Sequence, residues 1–191
     1  EVIVAGPASV GKTCLIERFI SDTYAADDAT HGPTLGCDCQ QKCLFVDNTE
    51  VRMFVYDTAG QERFADMAAS YYRIGDVCLL CFDMSDVSTF DKTQWWKKKV
   101  DDHNGRCSFI LVGTKSDLVD ENSLDYKPIT EWAESQGIPF FTTSALKGGA
   151  QVKFLFHSVA EKCIRINLEK AAPAPQRTLA APSQRSEGAC C

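Results

Sequence analysis

The first thirteen residues, Glu1-Val2-Ile3-Val4-Ala5 followed by Gly6-Pro7-Ala8-Ser9-Val10-Gly11-Lys12-Thr13, decide how the rest of the chain reads. A short apolar run rich in β-branched residues passes directly into G-x-x-x-x-G-K-[ST], and residues 13–20 then carry helical signals. Glycines let backbone wrap closely around phosphate oxygens. The N–H groups of Ala8, Ser9, Val10 and Gly11 can point inward there, and the positive dipole end of the following helix adds to them. Lys12 supplies charge for terminal phosphates, and the Thr13 hydroxyl is placed to ligate Mg²⁺. The competing reading is a glycine turn with a chance Lys-Thr. A strand before the motif and a helix after it weigh against that.

Outward from this loop, similar apolar runs recur at 53–56 (MFVY), 77–82 (VCLLCF), 109–112 (FILV) and 139–141 (PFF). Continuous apolarity over such short spans is the mark of strands buried on both faces of a parallel sheet. Helical signals fill the intervals at 65–72, 88–100, 130–136 and 151–166, so the chain reads as α/β with helices on both faces. One further run, 37–46, reaches the next strand through Asp47-Asn48-Thr49, short enough for a hairpin. The expectation is an open sheet of about six strands, mostly parallel, with one antiparallel edge pair.

Composition bounds what the protein can be. Its 191 residues suit one ordinary domain, and hydrophobic and charged contents of 45% and 24% are those of a globular chain. The net charge of −6 offers no general field for a phosphate backbone, which argues against nucleic acid as a partner. No apolar run approaches the roughly 18 to 20 residues of a spanning helix and no leader is visible, so a soluble body is expected. The ten cysteines lie mainly inside apolar runs, which points to free thiols in a reducing compartment. Cys78 and Cys81 are spaced C-x-x-C, yet three residues along a strand point to opposite faces and cannot share a metal. Cys37, Cys39 and Cys43 could share one strand face, but no second ligand pair follows. Two regions are expected: a folded domain over 1–166 and a polar, Ala/Pro/Ser-rich tail over 167–191 ending in Cys190-Cys191.

Three more clusters stand at the carboxyl ends of expected strands, where ligands bind in open α/β sheets. In Asp57-Thr58-Ala59-Gly60-Gln61-Glu62, the carboxylate can hold Mg²⁺ through water, the Gly60 N–H can meet a terminal phosphate, and Gln61 can orient a hydrolytic water. In Thr114-Lys115-Ser116-Asp117, a fixed Asp117 can accept two hydrogen bonds from the N1–H and N2–H₂ of guanine, which adenine lacks. The stem of Lys115 can lie on the base with its ammonium near the phosphate loop. In Ser144-Ala145-Leu146, the Ala145 N–H can meet guanine O6. Singly, the last two clusters pass for polar turns; their joint occurrence carries the reading.

With GPASVGKT, PTLG, DTAGQE, TKSD and TSAL in this order, residues 1–166 resemble the Ras superfamily of small GTPases. DTAGQERF, SYYRIG, LCFDMS and the final Cys190-Cys191 are most similar to the Rab family. That resemblance implies a P-loop NTPase G domain and a switch that hydrolyses GTP to GDP in vesicle and membrane traffic. It implies phosphate contacts from Ala8–Thr13, Thr34 and Gly60, and guanine contacts from Thr114, Lys115, Asp117, Ser144, Ala145 and Leu146. It further implies Mg²⁺ held by Thr13, Thr34 and Asp57, with Gln61 as the catalytic residue. Geranylgeranyl groups on Cys190 and Cys191 would anchor a cytoplasmic, monomeric protein to the cytosolic face of an intracellular membrane. The implied partners are a GTPase-activating protein, an exchange factor, a GDP-dissociation inhibitor and effectors reading the switch loops. Between Phe19 and Val51 there is no arginine to stabilise a transition state in cis. Unaided hydrolysis should therefore be slow, on the order of 10⁻⁴ to 10⁻³ s⁻¹, the range of Ras itself.

The sequence departs from the Rab pattern at several points. Cys39 and Tyr56 stand where Phe and Trp are usual in the aromatic patch completed by Tyr71; Leu146 replaces a Lys; Thr114 replaces an Asn; and the first switch loop, at 24–33, is acidic and about three residues longer than the family pattern. Two other functions fit part of the chemistry: a GTP-loaded scaffold with little hydrolysis, and a P-loop kinase or ATPase. The second lacks an arginine-rich lid. His31, His103 and His157 show no ligand spacing, and Trp95-Trp96 with Lys97–Lys99 read as a packing tryptophan beside a solvated basic face.

Overall fold

A computed structural model describes residues 1–24, 32–120 and 126–171. The apolar runs form strands β1 (Val2–Ala5), β4 (Val77–Asp83) and β5 (Ser108–Thr114), the first two buried at every position. They form the middle of a six-stranded sheet with β2 (Cys37–Val46), β3 (Thr49–Thr58) and β6 (Phe140–Thr142), in the order β2-β3-β1-β4-β5-β6. Every neighbouring pair is parallel except β2 and β3, which pair antiparallel from Cys37 opposite Thr58 to Val46 opposite Thr49. The loop joining them is only two residues, because Asp47 and Asn48 both adopt positive φ, 46° and 64°, the twist that suits a tight hairpin.

Helices α1 (Lys12–Ser21) and α5 (Gly149–Ala171) cover one face of the sheet, where Leu15, Ile16, Phe19, Leu155, Phe156 and Val159 pack on Val2, Val4 and Leu79. The rings of Phe19 and Phe156 stack at 3.8 Å between centroids. Helices α2 (Ala69–Tyr72), α3 (Ser88–His103) and α4 (Lys127–Ser135) cover the other, around Tyr72, Phe90, Trp96, Ile129 and Ala133. Cys81 belongs to the first layer and Cys78 to the second, so the sheet itself separates the two thiols. Burial pushes the Cys81 thiol up to about 12, and raises Cys78 as well.

Two elements differ from the sequence reading. Residues expected as one helix over 65–72 form a 3₁₀ helix, Glu62–Ala68, followed by the single turn of α2. A period of three turns Ala65 and Ala68 together onto the sheet, both 1% exposed, and leaves Met67 outward. Helix α5 runs on to Ala171, past the expected end at 166, with the Lys170 ammonium 2.5 Å from the buried Asp76 carboxylate. His103, at the end of α3, is half-buried and edge-on to the Tyr72 ring.

Candidate nucleotide and metal site

The loop 6–11 joins β1 to α1 at the carboxyl end of the sheet. Its first glycine is forced by geometry: Gly6 has φ +146°, and a Cβ there would lie 2.2 Å from the Cys81 carbonyl oxygen of β4. Gly11 caps α1, whose first turn holds no acidic residue and receives no side-chain cap, so its N–H groups remain suited to an anion. Lys12 is 6% exposed. Its ammonium folds back onto the loop, donating to the carbonyls of Gly6 at 3.0 Å and Pro7 at 2.7 Å. Burial lowers its pKa, with Cys81 and Asp57 opposing the shift.

Beside Lys12, two hydroxyls converge on one carboxylate. Thr13 Oγ1 donates to Asp57 Oδ2 at 2.6 Å, Thr34 Oγ1 donates to the same oxygen at 3.2 Å, and the two hydroxyls lie 3.1 Å apart. Asp57, next to last in β3, is almost fully buried, and its other oxygen, Oδ1, is buried without a partner. Desolvation raises the Asp57 pKa against the pull of Thr13 and Lys12. Hydroxyl and carboxylate oxygens are the hard donors that Mg²⁺ takes, and an orphaned buried oxygen costs free energy unless a cation or water meets it. Among the described residues no cluster of three or more His, Cys, Asp or Glu competes as a metal centre. Thr34 is held near by the backbone that follows, because the Gly36 carbonyl accepts the Ala59 N–H at 2.9 Å.

Gly60 packs directly on the phosphate loop: a Cβ there would lie 2.5 Å from both the Ala8 backbone and Lys12 Nζ. Gln61 follows in extended conformation as the N-cap of the 3₁₀ helix, and its carbonyl accepts the Phe64 N–H at 2.9 Å. The Gln61 side chain turns to Arg63, whose Nε donates to Oε1 at 2.8 Å.

The base-side residues form a cavity of about 160 Å³, lined in part by Thr114, Lys115, Asp117, Ala145 and Leu146. Ser144, buried with its Oγ accepting the Lys147 N–H at 2.9 Å, lines a separate cavity of about 510 Å³ that Asp117 also borders. The Thr114 hydroxyl donates to the carbonyls of Val10 and, at 2.8 Å, Phe82, tying the phosphate loop to β4 and β5. Lys115 stands in the left-handed region at φ 56°, and its ammonium bridges Ser9 O at 2.8 Å and Asp83 Oδ2 at 2.7 Å. Burial works against ionisation of Asp83, but Lys115 and Ser85 outweigh it and hold the carboxyl below its ordinary range.

The sequence reading missed Asp83 as the partner of Lys115, and Cys14, Leu15 and Tyr24 as walls of the base cavity. The position of Asp83 at the end of an apolar run was the available signal. In the aromatic patch, Cys39 is the register partner of Tyr56, whose ring lies 5.0 Å from that of Tyr71. Cys190 and Cys191, His31, and most of the long first switch loop lie outside the described residues.

A G-x-x-x-x-G-K-T loop between β1 and α1 of a six-stranded mixed sheet is the architecture of a Ras-like P-loop GTPase domain. Residues 1–165 match the Ras family, and the chain belongs to it. It is 37% identical over 161 residues to Ras-related protein Rab-1D of Dictyostelium discoideum, covering 84% of this chain and 77% of that one. It is 31% identical over 198 residues to Ras-related protein Rab-7a of the same organism, covering 100% and 96%. Within the superfamily the protein is a Rab-type small GTPase, which binds GTP and GDP with Mg²⁺, hydrolyses GTP, and acts in membrane traffic. Among the described residues no helix is long and apolar enough to cross a membrane.

Proposed function

We propose that the protein is a timed switch in which Thr34 is the sensor of the γ-phosphate. The observation that supports this reading is the meeting of the Thr13 and Thr34 hydroxyls on Asp57, with Asp57 Oδ1 left unpartnered. Thr13, Thr34 and Asp57 hold Mg²⁺, which when bound neutralises charge on the β- and γ-phosphate oxygens. The N–H groups of Ala8 to Thr13 and of Gly60 cradle the phosphates, with Lys12 exchanging its loop carbonyls for phosphate oxygens. Asp117 reads the guanine N1–H and N2–H₂, Lys115 covers the ring, Ala145 meets O6, and Thr114, Ser144 and Leu146 shape the walls. Gln61 orients the water that attacks the γ-phosphorus; the bond to the β–γ bridging oxygen breaks, and GDP and inorganic phosphate leave. Loss of the γ-phosphate then frees Thr34 and the segment after Gly60, which is what partners read.

An exchange factor, a GTPase-activating protein and a GDP-dissociation inhibitor complete the cycle, and effectors dock on the patch of Cys39, Tyr56 and Tyr71. Geranylgeranyl groups on Cys190 and Cys191 hold the protein at the cytosolic face of an organelle membrane. Tail charge is too weak to do so, since Lys170, Arg177 and Arg185 face Glu169 and Glu187, whereas two isoprenoids give stable residence. The decisive test is Thr34→Ala. Affinity for a non-hydrolysable GTP analogue should fall about tenfold in Mg²⁺ while GDP affinity holds; equal losses for both nucleotides would remove Thr34 as sensor. For the anchor, Cys190→Ser with Cys191→Ser should move the protein from the membrane pellet to the cytosol without changing nucleotide binding.

A further inference from the structure

The side-chain oxygen of Gln61 already has a charged donor. This atom, Oε1, accepts from Arg63 Nε at 2.8 Å, and the Arg63 guanidinium is itself seated over the Phe64 ring, 4.7 Å from the centroid. The Gln61 backbone is fixed on both sides, by the packing of Gly60 on Ala8 and Lys12 and by the Phe64 N–H on the Gln61 carbonyl. The side chain can therefore change its aim only by rotating away from Arg63.

We propose that Arg63 is a built-in brake on hydrolysis: a positioning residue that holds the side-chain oxygen of Gln61, Oε1, aimed away from the water it would orient. The proposal rests on the reading of Gln61 as the water-orienting residue. To act, Oε1 must accept a proton from the attacking water while the side-chain amide donates toward the phosphate. A charged N–H on the same oxygen competes directly with that water, and charge-assisted donors compete strongly. Arg63 thus works against turnover, where an arginine supplied to the transition state would work for it. A partner that offers a carboxylate or backbone carbonyl to Arg63 would release Gln61 without touching the nucleotide.

A double-mutant cycle on the full chain, loaded with GTP and followed in single turnover with a thermal midpoint as the check on folding, tests this. Arg63→Ala should hydrolyse GTP about two- to fivefold faster than the parent, the size expected for losing one exposed charged hydrogen bond. Arg63→Lys, which keeps the charge but not the planar Nε donor, should do the same and serves if the alanine variant folds poorly. In a Gln61→Leu background, already slowed, neither arginine substitution should change the rate. Unchanged or slower turnover in both arginine variants, with Gln61→Leu slowed, overturns the brake and leaves the role of Gln61 standing. Equal acceleration in the Gln61→Leu background also overturns it, because Arg63 would then act elsewhere. A Gln61→Leu rate equal to the parent removes the role of Gln61 and the brake together.

Discussion

The two sides of the nucleotide site are built by different means. Under the expected base and phosphate positions, contacts tie distant parts of the chain together: the buried bonds of Thr114 to the carbonyls of Val10 and Phe82, the partly exposed Lys115 to Ser9 and Asp83, and the Ser116 N–H to the Thr143 carbonyl at 3.1 Å. At the other side, among the described residues, the contacts that hold the segments carrying Thr34 and Gln61 include two hydroxyls on Asp57, backbone bonds from Ala59 to Gly36 and from Phe64 to Gln61, the exposed Gln61–Arg63 bond, and an ion pair of Lys99 with the exposed Asp66 at 2.6 Å. Leu35 and Met67 stand 78% and 61% exposed there. Buried, mutually satisfied polar groups hold one geometry, while thinly held segments lie at the low end of local stability and can answer a ligand. In the proposed switch, one side binds and the other reports.

That contrast can be broken by substitution, and the largest effect belongs to the binding side. Asp117→Asn should weaken GTP binding by about 3 kcal/mol or more, since an amide cannot accept both guanine protons, and should shift preference toward xanthine nucleotides. Competition between GTP and XTP measures it; unchanged GTP affinity would mean that the base is read elsewhere. Thr114→Val is next. It leaves Val10 and Phe82 without their hydroxyl donor and should cost about 1–2 kcal/mol of stability in chemical denaturation of the GDP-bound protein, with faster GDP release. The smallest effect should come from Lys99→Ala on the reporting side. Lys99 holds the Asp66 carboxyl below its ordinary range, yet that carboxylate is exposed, so the thermal midpoint should not move measurably. A loss as large as that of Thr114→Val would show that the reporting side is as firmly built as the binding side.

The same division governed what could be read from the chain. Strands β1, β4 and β5 were legible because burial on both faces leaves mostly apolar residues, and two of the four candidate clusters follow β1 and β5 directly. The hairpin was legible from Asp47-Asn48, two residues that tolerate positive φ. The 3₁₀ helix Glu62–Ala68 was not, because alanines spaced by three satisfy either helix and only the packing of Ala65 and Ala68 decides. Nor was the role of Thr114, whose partners lie 104 and 32 residues away, or that of Arg63, whose bond depends on which way a glutamine turns. Local pattern announces phosphate and base chemistry; it is silent on the long-range bonds that hold those groups in place.

The end of α5 has a mechanical consequence. Lys170 pairs with Asp76, which lies just ahead of β4, whereas the nucleotide site stands at the opposite, carboxyl ends of the strands. A pull on the chain beyond Ala171 therefore enters the sheet at the pole farthest from Thr34 and Gln61, and passes first through a long helix packed along one face. Tension from a tether would be borne by the strand foundations, and the clockwork at the other pole could open and close without feeling it.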